Sequence, residues 1–145
     1  MIQRILVVCI GNICRSPMAA ALFRERLPHL DISSAGIGAL VGKPADPNAS
    51  EVLKIRGVDV SAHRAQQITG ILCRWADLIL VMETAHKARI EHLYPFSRGK
   101  VFRLGQYDNC EVFDPFGHSF ERFEECYSLI EPAVEKWVSR VAKLA

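Results

Sequence analysis

The stretch VVCIGNICRSPMAAAL, residues 7–22, decides the fold. It closes a continuous β-branched and apolar run, Ile5 to Ile10, the signature of a parallel strand buried on both faces. The run breaks at Gly11-Asn12. Ser16-Pro17, followed by Met18, Ala21 and Leu22, then reads as an N-cap, a first-turn proline and the apolar face of a helix. A core strand can end in any turn, but this turn places a thiol (Cys9), a guanidinium (Arg15) and several main-chain donors within one short loop.

Working outward, strand and helix signals alternate. Asp31 to Ala35 predicts a second strand, followed by a loop rich in breakers (Gly36, Gly38, Gly42, Pro44). Asp46-Pro47 caps a second helix carrying Val52 and Ile55, which stops at Gly57. A shorter helix is expected over Ile68 to Trp75, a strand over Leu78 to Met82, a helix over Ala85 to Leu93 ended by Pro95, and a fourth strand over Lys100 to Leu104. In the tail, Phe123, Tyr127, Ile130, Val134, Trp137, Val141 and Leu144 recur at steps of four and three, a helical stripe for the core with Pro132 inside it as a potential kink. The expected fold class is α/β: one domain, residues 1–145, with a four-stranded parallel twisted sheet and helices on both faces. Ligands of such sheets sit beyond the carboxyl ends of the strands, and the first strand ends at Cys9.

Composition narrows the function. Half of the 145 residues are apolar, 23% are charged and the net charge is +2, which suits one globular core and offers no basic stripe for nucleic acid. No apolar run is long enough for membrane insertion, and a cytoplasmic protein is expected. Five scattered cysteines (Cys9, Cys14, Cys73, Cys110, Cys126) read as reduced thiols. Only Cys9 and Cys14 lie close together, and His29, His63, His86, His92 and His118 supply no partner pair, so no metal is expected.

Cysteine is commonly buried and inert, and Cys9 alone would be read so. Its loop changes that reading. It ends at a helix N-terminus, where unpaired N–H groups and the helix dipole favour negative charge, and Gly11 frees the backbone to approach an anion. The same field favours thiolate over thiol, with the Ser16 hydroxyl as a further donor. Arg15 offers a planar fork for two oxygens of a tetrahedral oxyanion. The expected phosphate cradle is Ile10, Gly11, Asn12, Ile13, Cys14, Arg15 and Ser16, with Cys9 as nucleophile.

CIGNICRS resembles the C-x5-R-S loop of the low-molecular-weight protein tyrosine phosphatases. The likeness extends to the RSP helix entry, the SAG of Ser34 to Gly36, a late Asp-Pro pair and the chain length, and so covers essentially the whole sequence. The stretch SAGIGALVGKPADP is similar to the bacterial branch, whose members reverse tyrosine phosphorylation on kinases of exopolysaccharide assembly. The resemblance implies hydrolysis of phosphotyrosine through a cysteinyl-phosphate without a cofactor, on a phosphotyrosine protein such as a bacterial tyrosine autokinase. It also implies an Asp before Pro as general acid, then base. Of two such pairs, Asp46-Pro47 is explained by capping, whereas Asp114-Pro115 is followed by Phe116-Gly117 on a loop, which points to Asp114.

The resemblance further implies that Asn12 holds the turn through Ser16, Ser34 and His63; an ordinary strand-end serine and an ordinary turn histidine are the alternatives. Ile10, Leu40 and Phe116 are candidate apolar walls for an aromatic ring. Phe116-Gly117 stands where some relatives carry two tyrosines, so phosphorylation there is not expected to regulate this chain. Cys14 is either inert or a redox partner that traps oxidised Cys9. Two rivals are an arsenate reductase, which would need a close cysteine pair after the third strand, and a non-catalytic phosphoprotein-binding module or cysteine phosphocarrier.

Overall fold

A computed structural model of the chain describes residues 1–144, with side chains through residue 143, so the Leu144 side chain of the tail stripe lies outside the described residues. Four strands, β1 (Arg4–Cys9), β2 (Asp31–Gly36), β3 (Leu78–Val81) and β4 (Val101–Arg103), form one parallel sheet in the order β2-β1-β3-β4. Five α-helices accompany them: α1 (Arg15–Arg26), α2 (Pro47–Ile55), α3 (Gly70–Trp75), α4 (Thr84–Leu93) and α5 (Phe120–Leu144).

The pleat sorts the core into two layers. From β1, Ile5, Val7 and Cys9 face one layer with Met18, Leu22 and Phe23 of α1, Val52 of α2 and Phe123, Ile130 and Val134 of α5. Leu6 and Val8 face the other, with Cys73 of α3 and Ile90 of α4. Being covered twice is why β1 reads as an unbroken apolar run. Ile10 falls just outside it and is exposed.

The predicted caps meet two fates. Asp46 caps α2, accepting from Asn48 N at 2.9 Å, and the helix gives way to Gly57 at φ +77°. Ser16 does not cap α1. That helix starts at Arg15, two residues before Pro17, after Cys14, which makes no side-chain cap, and the Ser16 hydroxyl is committed to Cys9 instead. The third helix starts at Gly70 rather than Ile68, because Thr69 caps it through Leu72 N while Gln67 bridges to Gly36 and continues the β2 edge. Pro132 lies inside α5 without ending it.

Strand order reverses at the β1/β3 boundary, since β1 connects to β2 on one side and pairs with β3 on the other. The crevice at a reversal lies beyond the carboxyl ends of its strands, here after Cys9 and Val81. Gly36 closes one side of it: paired with Cys9, it leaves no room for a side chain, because a Cβ there would stand 2.4 Å from the Ile10 carbonyl oxygen.

Candidate active site

The loop from Ile10 to Cys14 turns on Asn12, which has φ +60°, a conformation that asparagine tolerates better than most residues. Four contacts hold it there. Its side-chain nitrogen donates to Ser16 Oγ at 2.7 Å and to Ser34 Oγ at 3.0 Å, its side-chain oxygen accepts from Gln66 N at 2.9 Å, and its carbonyl lies 2.6 Å from His63 Nε2. All three partners named from the sequence converge on this residue. Burial, with Arg24 and Arg64 nearby, holds the His63 imidazole below its ordinary pKa despite the bond to Asn12.

Fixing Asn12 this way aims the loop. Among the described residues, no main-chain N–H from Gly11 to Ser16 finds a protein acceptor. Cys9 Sγ lies at their base, 2.9 Å from Ser16 Oγ. Because Ser16 Oγ already accepts from Asn12, its own proton is free for the sulfur. Asn12 and Ser16 are buried behind the loop, so what they offer a phosphate is main-chain N–H.

Arg15 is 1% exposed. Its Nη1 donates to Glu83 Oε2 at 2.6 Å and to the Val112 carbonyl at 2.9 Å, while its Nη2 lies 3.7 Å from Asp114 Oδ2. Asp114 sits on the loop between β4 and α5, with Oδ1 accepting from Phe116 N at 3.1 Å. These groups bound a cavity of about 210 Å³, with Cys9 and Arg15 in its floor, Asp114 at its rim, and the exposed side chains of Ile10, Leu40 and Phe116 around the opening. Ile13 and Cys14 line it too. Of the residues singled out in the sequence, the pocket brings together Cys9, Arg15, Asp114, Leu40, Phe116 and most of the loop, whereas Asn12 and Ser16 lie behind it.

Sequence reasoning missed Glu83, Val112 and His86. The signal for Glu83 was its position two residues after β3, at the carboxyl end of a central parallel strand, where ligand sites gather. Val112 acts through a carbonyl that side-chain identity does not reveal; its N–H donates to Met82 O and so ties the loop carrying Asp114 to the end of β3.

Burial, with the charges of Asp46 and Cys9, pushes the Cys14 thiol far above its ordinary pKa. If peroxide turns Cys9 into a sulfenic acid, a disulfide forms when the Cys14 thiolate attacks its sulfur and the S–O bond breaks, the oxygen leaving as hydroxide that takes a proton from solvent to become water. Well below its pKa the Cys14 thiolate fraction rises about tenfold per pH unit. The share of peroxide inactivation that dithiothreitol reverses should therefore be small at slightly acid pH and climb in alkali. A share independent of pH would exclude Cys14 as the trap.

A sulfur under unpaired amides, with a buried guanidinium beside it and a carboxyl at the rim, suits a phosphoric monoester hydrolase. Residues 4–145 match the family model described as low molecular weight phosphotyrosine protein phosphatase. The chain belongs to that family and is a protein-tyrosine-phosphatase. It is 53% identical, over 99% of both chains, to a probable low molecular weight protein-tyrosine-phosphatase, EpsP, of Ralstonia nicotianae. Its fold superposes with a TM-score of 0.94 on Vibrio vulnificus Wzb in complex with benzylphosphonate, at 42% identity and covering 97% of this chain and 99% of that one. The YwlE arginine phosphatase of Geobacillus stearothermophilus is also similar, with a TM-score of 0.91, 35% identity and coverage of 97% and 93%. No helix among the described residues is long and apolar enough to cross a membrane.

Proposed function

We propose that the chain hydrolyses phosphotyrosine in two steps carried by Cys9, Arg15 and Asp114. The observation that carries this reading is the single small cavity with Cys9 and Arg15 in its floor and Asp114 at its rim. In the first step Cys9 Sγ attacks phosphorus, the bond to the tyrosine oxygen breaks, and Asp114 gives that oxygen its proton. In the second, Asp114 takes a proton from water, whose oxygen attacks phosphorus and expels Cys9 as thiolate, releasing inorganic phosphate. Arg15 and the N–H groups of Gly11 to Ser16 hold the non-bridging oxygens in both transition states, where oriented donors contribute most.

The rim supports an aromatic substrate. Ile10, Leu40 and Phe116 offer exposed apolar surface beside Cys9 and Arg15, which suits a phenyl ring better than the short polar side chain of phosphoserine. The substrate protein in this reading is a tyrosine autokinase of exopolysaccharide assembly, met in the cytoplasm, where free thiols stay reduced. An arsenate-reducing relay finds no support: Cys73 packs in the opposite core layer from Cys9, across the sheet.

Replacing Asp114 by alanine tests the acid. The loss should be roughly 100- to 10,000-fold where the leaving group is poor, as in phenyl phosphate or a phosphotyrosine peptide, and much smaller for p-nitrophenyl phosphate, which leaves without a proton. Equal losses on both would remove Asp114 from the acid role. Measured on the wild-type protein, kcat/KM should favour phosphotyrosine over phosphoserine and phosphoarginine peptides. A preference for phosphoarginine would overturn the substrate assignment.

A further inference from the structure

His86, in the first turn of α4, is 5% exposed and has no part in the reaction just described. Its Nε2 lies 3.4 Å from Glu83 Oε2, the same oxygen that accepts from Arg15 Nη1. Its Nδ1 is enclosed and without a partner among the described residues. An imidazole buried with one nitrogen unsatisfied is costly where an apolar side chain would fill the space more favourably, so its retention calls for a compensating role.

Glu83 supplies that role. Its side chain is 34% exposed, yet it holds one end of the Arg15 guanidinium. Without a second anchor the carboxylate has several rotamers open to it, and Arg15 Nη1 is left with the Val112 carbonyl alone. We propose that His86 is a positioning residue: by confining the Glu83 carboxylate it fixes Arg15, whose other nitrogens are then left for the phosphate. The proposal rests on the reading of Arg15 as the phosphate-holding residue.

The surrounding charges agree. Arg15 from α1, Glu83 from the end of β3, and Glu111 and Asp114 from the loop before α5 all face His86. Burial, reinforced by Arg15, holds the imidazole below its ordinary pKa, while the three carboxylates oppose that. Burial favours the neutral ring, and Nε2 is the ring nitrogen that stands 3.4 Å from the Glu83 carboxylate. Phosphate arriving at Arg15 changes the field on Glu83, and through it on this ring.

Two substitutions of similar size separate positioning from packing. His86→Asn withdraws the donor from Glu83, and His86→Gln returns an N–H near the Nε2 position. His86→Asn should lower kcat/KM on p-nitrophenyl phosphate roughly 10- to 100-fold and weaken inhibition by inorganic phosphate, because small misplacements of an aimed group cost that much. His86→Gln should recover most of both losses at a similar Tm. In a Glu83→Gln background, His86→Asn should add no more than about twofold, the non-additivity of residues that act through one another.

In the unsubstituted protein, saturation with inorganic phosphate should shift the ring 15N resonances of His86, and Glu83→Gln should abolish the shift. This arm decides the matter even if His86→Asn does not fold. Phosphate affinity of His86→Asn within about twofold of wild type, full additivity with Glu83→Gln, or unmoved His86 resonances would each overturn the proposal. If wild type hydrolyses aryl phosphates while any of these holds, the positioning role fails and the phosphatase reading stands. If wild type hydrolyses none, the phosphatase reading is what fails.

Discussion

Replacing Cys9 by serine is expected to remove turnover on aryl phosphates by about six orders of magnitude, the scale on which losing the nucleophile of a covalent mechanism acts. Oxyanion binding should survive. On the proposed reading Arg15 and the loop N–H groups grip phosphate, and of the partners that hold Asn12 and the loop in place, Ser34, Gln66 and His63 are left untouched while Ser16 meets a serine hydroxyl in place of the Cys9 sulfur. A serine hydroxyl at the same point is barely ionised near neutrality and makes a far weaker nucleophile than a thiolate. Steady-state rates on p-nitrophenyl phosphate and calorimetric titration with a phosphotyrosine peptide read the two halves of this expectation. Residual turnover within about tenfold of wild type would end the covalent mechanism, and loss of binding together with turnover would show that Cys9 also shapes the cradle.

The second large effect belongs to Arg15. Arg15→Lys keeps the charge and should still cost about 1,000- to 100,000-fold in kcat/KM, the range over which a transition-state arginine acts in phosphoryl transfer. A lysine ends in one compact ammonium. It cannot meet Glu83 Oε2 and the Val112 carbonyl and still offer separate donors to two phosphate oxygens, as the guanidinium does. The stability penalty should stay below the roughly 3–5 kcal/mol of a broken, fully buried pair, since Glu83 is a third exposed and partly screened by solvent. Tm and kcat/KM are therefore expected to part company, the first falling slightly and the second collapsing. Activity within about tenfold of wild type would show that charge alone suffices at this position.

The residues explain why some of this was readable in advance. β1 announced itself because a strand covered by helices on both faces has no polar side to interrupt its pattern. The α5 stripe was readable because every side chain named in it through Val141 is buried along one face of the core. Asp46 behaved as a cap because nothing else competes for its carboxylate. Ser16 carried the same local signal, and the site overrode it by taking the hydroxyl for Cys9, so the helix boundary moved to Arg15. Strand order was not legible, and with it the meeting of Arg15, Glu83 and Val112. They lie 68 and 97 positions apart along the chain and are joined only by pairing β3 beside β1 and docking the β4–α5 loop onto Met82. Local pattern reports local structure, and this contact is made by topology.

Arg15 is enclosed by segments drawn from the start, the middle and the last third of the chain. A nascent or partly opened molecule therefore lacks the grip on phosphate even though the sulfur is already in its sequence. On the proposed reading, catalytic output therefore reports that these three distant segments have come together.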